Sequence, residues 1–363
     1  MIGRTLGRYI GARFLRWILG VFLVGTTIIL LLDFFELVRR AGDREGFSVG
    51  RAFLTSLLRT PALTEQFLPF AALFGSIFAF IGLARRSELV VIRAAGISVW
   101  QFAAPAIIVA LGLGIGEATI YNPLSAWMKQ QSEVVGASLF GKEQQLLDQT
   151  ASRAWFRQNG TDGESIVHAR GSTDQGAALS GLTVFLFDPE GAFSERIEAP
   201  RAVLEDGYWR LENAVVYRAG GDWEKHDVYR LSTFLNPTEV REVLARPDAV
   251  AFWQLPGLIE LAEHAGLPAF RYRLQFQILM ARPLLLVSMV LIAATVSLRP
   301  ARFGGVTRLV ASGIAAGFLL YVATELARDL GGAGIVPPPV AAWTPGLIAM
   351  LFGVSVLLFR EDG

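Results

Sequence analysis

Residues 94–116 and 330–359 carry no charged side chain. Apolar runs of that length settle much of the fold. In hydrocarbon no water pairs the backbone, so each run must close its hydrogen bonds internally, and about 20 helical residues cross a core ~30 Å thick. Hydropathy adds four more runs, giving six spans at about 14–35, 59–83, 98–121, 273–298, 305–327 and 337–359. Pro61 and Pro69 bend or start the second, and Arg282 beside Pro283 makes the fourth the least clean.

Charge is segregated. The chain has 363 residues, is 53% hydrophobic and has a mean hydropathy of +0.44, yet its middle third holds nearly half of the charged side chains. This is the pattern of several spans around one soluble insert. A net charge of +1 gives no basic field for nucleic acid, and the lack of cysteine excludes disulfides and thiolate metal sites. The basic start followed by Trp17–Leu32 resembles a signal peptide, but the run is long and no small-x-small cleavage site follows, so it reads as a retained first span.

Arginines in the short loops set the orientation. One side has Arg4, Arg8, Arg13, Arg16, Arg85, Arg86, Arg93, Arg299, Arg302, Arg308 and Arg360; the other has Arg39, Arg40, Arg44, Arg51 and Arg328. Eleven against five puts both termini and residues 83–98 in the cytoplasm. The four arginines of the first outer loop dissent.

The insert, about 125–268, then lies outside the cytoplasm and reads as β. Strands are expected at Ser165–Ala169, Leu182–Phe187, Ala202–Glu205, Tyr208–Tyr217 and Asp227–Phe234. Asp188-Pro189-Glu190-Gly191 has type I turn chemistry, and Asp206-Gly207 is a two-residue hairpin signal. Trp209, Leu211, Ala214 and Val216 do not alternate cleanly, which suggests a bulge near Asn213. Residues 256–266 suggest a short amphipathic helix. A sandwich, jelly roll or barrel fits the strands.

Catalytic motifs are lacking. His168, His226 and His264 share no ligand spacing and read as surface or hydrogen-bonded groups. Gly136–Glu143 resembles a phosphate-binding loop until Glu143 replaces the Ser or Thr that holds Mg²⁺. No catalytic residue, metal site or cofactor is expected, and ATP hydrolysis by this chain is not expected.

Ionisable groups near the spans stand out: Asp33 and Glu36 at the end of the first, Glu65 in the second, Glu117 late in the third and Glu325 late in the fifth. They read either as interfacial groups or as functional ones. Arg39 and Arg40 read either as an ordinary headgroup-facing pair or as a phosphate clamp, since guanidinium grips phosphate in a bidentate fork. Gly112/Gly116 and Gly313/Gly317 permit close helix contact, within the chain or with another.

The stretch Leu83–Ser98, LARRSELVVIRAAGIS, lies between the second and third spans. Ser87 suits a helix cap, Glu88 suits the first turn and Gly96 suits a stop. The helix between has about two turns, roughly 12 Å, and is apolar on nearly every side. So short a helix is marginal alone. It needs the membrane interface or a groove on a partner.

The whole layout resembles the LptF/LptG lipopolysaccharide-export permease family, and its LptG branch more closely. The resemblance rests on Ala84–Gly96 after the second span, and on Gly116-Glu117 with Asn122-Pro123 after the third. It rests also on Asp33-Phe34-Phe35-Glu36 with Arg39-Arg40-Ala41-Gly42, and on Val336–Trp343 with Pro345. It implies an α-helical membrane protein of six transmembrane helices with an all-β, jellyroll-like periplasmic domain between helices 3 and 4. The segments would be 1–124 (spans one to three, with a cytoplasmic coupling helix at about 84–96), 125–268 (the β domain) and 269–363 (spans four to six).

The family implies a non-enzymatic transport subunit in the Gram-negative inner membrane. An LptF-like permease chain pairs with it, an LptB-like ATPase dimer drives it, and LptC-like and LptA-like proteins receive lipopolysaccharide. ATPase coupling would fall to Arg85, Arg86, Glu88, Leu89, Ile92, Arg93 and Gly96, with Glu88 meeting a basic group of the ATPase. Substrate contact would fall to Phe34, Arg39 and Arg40. Asp33 stands where a basic group is expected, and it would repel phosphate if it faced the cavity. The alternative class is a non-transporting scaffold that displays the β domain; an intramembrane hydrolase lacks a nucleophile–base set.

Overall fold

The computed structural model describes residues 4–42, 47–149, 154–161, 163–173, 178–188, 192–218, 221–233, 249–264, 269–297 and 306–361. Helices α1 (Arg4–Ala41), α2 (Val49–Thr64), α3 (Leu68–Arg85), α4 (Glu88–Ala94), α5 (Val99–Gly116) and α6 (Asn122–Gln149) come first. Strands β1 (Ala154–Gly160), β2 (Gly163–Thr173), β3 (Ala178–Phe187), β4 (Phe193–Glu205), β5 (Tyr208–Arg218) and β6 (Trp223–Ser232) follow. Then come α7 (Leu255–His264), α8 (Phe270–Ser297), α9 (Val306–Gly332) and α10 (Pro338–Glu361).

Among the described residues, five helical runs are long and apolar enough to cross a membrane: Thr5–Ala41, Val49–Arg85, Val99–Gly136, Phe270–Ser297 and Pro338–Phe359. Helix α9 stands where the fifth of six spans is expected and is not among those five. The first three runs have 37, 37 and 38 residues. At 1.5 Å per residue each is about 56 Å long, nearly twice the hydrocarbon thickness, so each projects well beyond it.

Two of these runs are interrupted. A 3-10 turn at Glu65–Phe67 breaks the second between Pro61 and Pro69, as the prolines predict. A π turn at Glu117–Tyr121 breaks the third. Helix α1 has neither proline nor interruption over 38 residues. Residues 136–143 lie inside α6, so the near-match to a phosphate-binding loop is not a loop.

Helix α8 is central and packs on α3, α5, α9 and α10, while α1 packs on α2, α3 and α5. Phe14 of α1 meets Phe80 of α3 edge to face, with centroids 4.9 Å apart. The crossing of α5 over α8 needs Gly114: a Cβ there would lie 2.4 Å from Pro283 Cα. Gly313 and Gly317 serve contact within the chain, against Ile77 and Leu73 of α3, whereas a Cβ on Gly112 or Gly116 would meet nothing within 4 Å.

The six strands pair antiparallel in sequence order, a meander with no Greek-key crossing among the described residues. Gln158 Oε1 of β1 accepts from Trp209 Nε1 and Thr233 Oγ1, both at 3.0 Å, curling the first strand toward the last. Asp206-Gly207 forms the β4–β5 hairpin, with Gly207 at φ +83°. Pro189, Glu190 and Gly191 lie outside the described residues, but the turn is closed by Asp188 N to Ala192 O at 2.9 Å.

The irregularity at Asn213 is a crease rather than a bulge. Asn213 is left-handed, φ +52°, yet the β5–β6 register resumes unshifted. Burial passes from Trp209 and Leu211 to Ala214 and Val216, so the inward face changes parity there. The same change occurs in β4, from Ile197 and Ala199 to Ala202 and Leu204, across Pro200. In β3 it falls at Gly181, φ +61°. The one register shift in these ladders lies between Leu186 and Phe187, opposite Phe193.

Candidate functional site

The short helix between the second and third runs is built by local backbone chemistry. Ser87 is left-handed, φ +56°, and its N–H donates to Ala84 O while its carbonyl accepts from Val91 N. That is not the extended conformation of an ordinary N-cap. The serine that caps with its side chain is Ser98, whose Oγ accepts from Gln101 N at the start of α5. Gly96 ends the α4 segment at φ +76°, as expected.

Helix α4 is fastened to α1. Arg13 Nη1 donates to both carboxylate oxygens of Glu88, at 3.2 and 3.1 Å, and to Tyr9 OH at 2.7 Å. Tyr9 OH donates in turn to Glu88, at 3.1 Å to Oε2. The Arg13 side chain is 10% exposed and that of Glu88 27%. Gly82 leaves room for the guanidinium, since a Cβ there would lie 3.0 Å from Arg13 Nη2. One turn on, Ile92 is buried in the helix-bundle core. Glu88 and Ile92 therefore face inward, while Arg85, Arg86, Val91 and Gly96 are exposed. The side chains of Leu89, Val90 and Arg93 lie outside the described residues.

The other end of α1 carries the expected substrate contacts. Phe34, like Val38 and Phe47, packs against the buried Leu37 and Ala52, and it meets Phe53 edge to face at 5.7 Å. Arg39 and Arg40 are 77% and 65% exposed and share one carboxylate, Glu36, at 2.7 and 2.6 Å. Three charges leave a net +1. Asp33 is turned to Arg59 of α2, 3.4 Å away, and Ser56 Oγ donates to Leu30 O beside it. The expected repulsion by Asp33 is thus offset within the chain.

A third constellation joins both halves of the bundle to the sheet. Glu117, fully buried in the π turn, faces Arg282 of α8 at 3.5 Å. Asn122 Nδ2 donates to Glu65 Oε1 at 3.1 Å, and Asn122 Oδ1 accepts from Phe252 N at 2.9 Å. Trp253 Nε1 donates to Thr119 O, inside the π turn, at 3.1 Å. Phe252 stacks on Phe276 of α8 with centroids 5.3 Å apart. The segment leaving the sheet is thereby seated on the π turn. Arg282 also lines a cleft of about 690 Å³, mouth included, with Gln66, Phe70, Tyr321, Glu325 and Arg328.

The family model for the lipopolysaccharide export system permease LptF/LptG matches residues 8–360. This chain belongs to the LptF/LptG family. The LptG permease protein of Escherichia coli K12 is 25% identical over 381 residues, covering 99% of each chain. That of Haemophilus influenzae is 24% identical over 366 residues, again covering 99% of each.

Within this LptF/LptG chain, reading the sequence located Glu65, Glu117 and Arg282 but did not bring them together. The available signal was charge itself: an acid and a base at membrane depth call for each other. Arg13, Tyr9 and Asn122 were not foreseen as partners. Their contacts cross 75, 79 and 57 positions of sequence.

Proposed function

We propose that this chain is the permease subunit of an ABC-type lipopolysaccharide exporter. It extracts the glycolipid from the inner membrane and passes it to a periplasmic bridge, driven by a separate cytoplasmic ATPase. The reading takes α9 as a sixth span and places both termini in the cytoplasm. It divides the chain into 1–124, 125–268 and 269–363, with the middle segment a periplasmic β domain. Partners are an LptF-like chain, an LptB-like ATPase dimer, and LptC-like and LptA-like proteins.

The observation that carries the proposal is α4. It is a seven-residue helix fixed to the bundle by Glu88 and Ile92, with Arg85, Arg86 and Val91 left exposed around it. Fixed from behind and open in front, it is shaped to receive a groove. Extraction costs about 0.8 kcal/mol per methylene withdrawn from the bilayer, so a multi-acylated lipid needs an external energy source. Exposed apolar stripes on α1 (Val24, Leu31, Phe35) and α9 (Phe318, Val322, Leu326) would wall a cavity shared with the partner chain and offset part of that cost. Those two helices form the gate on this reading. Arg39 and Arg40, with Phe34 beside them, meet the lipid's phosphates.

The test is co-purification with lipid analysis by mass spectrometry. The membrane-extracted chain is expected to retain an ATPase and lipopolysaccharide. Arg85→Glu with Arg86→Glu is expected to release the ATPase. A chain that retains neither, in any mild detergent, is the scaffold instead. For the clamp, Arg39→Glu with Arg40→Glu is expected to lower photocrosslinking to lipopolysaccharide; unchanged crosslinking removes these residues from the substrate site.

A further inference from the structure

We propose that the cleft between α3, α8, α9 and α10 is a phospholipid site. It takes one acyl chain and the zwitterionic head of a phosphoethanolamine lipid, and leaves the lipid's second chain in the bilayer. The inference rests on the orientation given above only for the leaflet that supplies the lipid.

The cleft is one leaflet deep. Along α8 its wall runs from Ile278 to Met289. Those eleven helical steps rise about 16 Å, half of a hydrocarbon core ~30 Å thick. Polarity changes along the wall. Gln66, just ahead of α3, and Arg328, in the last turns of α9, lie at the end that the orientation places outward, and Gln66 is exposed. The deeper wall is apolar: Phe70, Leu285, Met289 and Pro345, with Met289 only 2% exposed. A ligand therefore enters tail first with its head outward, as a lipid of the outer leaflet stands. The cleft measures about 690 Å³, mouth included. A group the size of a water molecule or a methylene takes about 30 Å³, so on the order of 20 such groups fit. One acyl chain with its head fits that space; the several chains of a lipopolysaccharide do not.

The charges at the cleft select the head. Arg282, Arg328 and Glu325 line it, and Glu117 faces Arg282 from behind. Glu65 acts on Arg282 as well, and Lys129 counters it. The charges balance, so an anionic head gains no net attraction, yet both signs are presented within one cavity. A zwitterion matches both: its phosphate accepts from guanidinium and its ammonium donates to carboxylate. The protein groups have capacity to spare. Arg328 and Glu325 stand 3.8 Å apart, beyond hydrogen-bond length. Arg282 Nε has no hydrogen-bond partner among the described residues. Tyr321, Glu325 and Arg328 recur at helical spacing, so one face of α9 presents them, whereas Phe318, Val322 and Leu326 form a separate exposed stripe. The lipid site and the proposed substrate wall are thus different surfaces of one helix.

The experiment reconstitutes the full chain, with whatever copurifies, in vesicles of phosphatidylcholine and phosphatidylglycerol. A trace of photoactivatable lipid is added, with a diazirine near the end of one chain. Three such lipids are compared, alike in their chains and differing in their heads: phosphatidylethanolamine, phosphatidylcholine and phosphatidylglycerol. Crosslinks are mapped by peptide mass spectrometry. The phosphatidylethanolamine probe is expected to label residues 285–289 and 345–346 about fivefold more than the other two, the size of one charge-assisted hydrogen bond at a partly exposed site. Phosphatidylcholine has no N–H to donate to Glu325, and phosphatidylglycerol has no cation. Equal labelling by all three heads reduces the cleft to ordinary lipid contact and overturns the proposal. So does stronger labelling by phosphatidylglycerol, and so does no label at these residues.

Two variants of α9 locate the head. Arg328 and Glu325 are 30% and 34% exposed, so neither change strands a buried charge. Glu325→Gln keeps the shape and removes the acceptor charge. It is expected to bring phosphatidylethanolamine labelling down to the phosphatidylcholine level. Arg328→Gln is expected to lower labelling by all three lipids alike, since each carries a phosphate. An undiminished preference for phosphatidylethanolamine in Glu325→Gln overturns the proposal. Where a variant does not assemble, the comparison of heads on the wild-type chain decides alone. Failure of the exporter reading looks different: no ATPase accompanies the chain, while the labelling still depends on the head.

Discussion

Two ionic clusters tie this bundle together, and they are built to different standards. At one end Arg13, Tyr9 and Glu88 meet through contacts of 2.7 to 3.3 Å, and each group finds hydrogen-bond partners in the others. At the other, Arg282 and Glu117 stand 3.5 Å apart, and among the described residues neither Glu117 oxygen nor Arg282 Nε finds a hydrogen-bond partner. The two arginines are equally buried, at 10% and 11% exposure, but the Glu88 carboxylate borders water at 27% whereas Glu117 is fully buried. Desolvating two charges is repaid only when geometry is good and remaining lone pairs are satisfied. The first cluster is therefore a tie that holds; the second costs stability and stands at an irregular turn. The difference separates a fixed joint, where α4 meets α1, from an adjustable one, where the sheet's return segment meets the π turn.

The strongest way to break that comparison is to remove half of the second pair. Arg282→Met leaves Glu117 buried and unpaired, and is expected to lower stability by about 3–5 kcal/mol. The double variant Arg282→Met with Glu117→Leu is expected to recover most of the loss, because no charge then remains unpaired. Thermal unfolding of the purified protein in detergent measures both. If the double variant is no better than the single, the pair is a tie like the other.

Next in size is Asn122→Ala, which strips a partner from Glu65 and from the Phe252 amide at once. A buried amide and a half-buried carboxylate each lose a hydrogen bond, so a loss of about 2 kcal/mol is expected. Hydrogen exchange at residues 252–254 is expected to accelerate, while exchange at 88–94 stays as it was. Acceleration at both ends would mean that the clusters are not separate joints.

What could be read from the chain divides along the same line. Five of the six apolar runs, the bend at Pro61 and Pro69, the stop at Gly96 and the hairpin at Asp206-Gly207 are local, so each was legible. The broken alternation of Trp209, Leu211, Ala214 and Val216 located Asn213 correctly. The cause, a left-handed residue opposite Pro200 that exchanges the two faces of the strand, needs the neighbouring strand to be seen. Strand β1 was missed, as was α6 beyond the third span. The two clusters were illegible as clusters because their members come from separate helices. Ser87 shows a local rule misapplied: the residue type suits a cap, but the chain must turn sharply out of α3, and the left-handed backbone wins.

The fixed joint yields a smaller effect. Glu88→Gln keeps the shape of the side chain and removes its charge, and the site borders solvent. A loss of about 1 kcal/mol is expected, the range of one hydrogen bond to a charged group at a partly exposed site. The loss is expected to shrink as salt is raised from about 50 mM to 0.5 M, since part of it is screened Coulomb energy. The stability deficit of Arg282→Met is expected to depend less on the same change, because the Glu117 carboxylate left behind is fully buried. Equal salt sensitivity at both ends would erase the distinction.

Tyr9→Phe gives the finest reading. The hydroxyl both accepts from Arg13 and donates to Glu88, yet these two also meet directly. Its loss leaves the ion pair standing and exposes no buried charge, and the ring itself is partly exposed. About 0.5 kcal/mol is expected, at the low end for a hydrogen bond. Combined with Glu88→Gln, the two losses are expected to fall short of additive, because the hydroxyl's donation to Glu88 can be lost only once. Strict additivity in the thermal midpoints would mean that Tyr9 acts on α1 alone, and the bridge between α1 and α4 would reduce to a single ion pair.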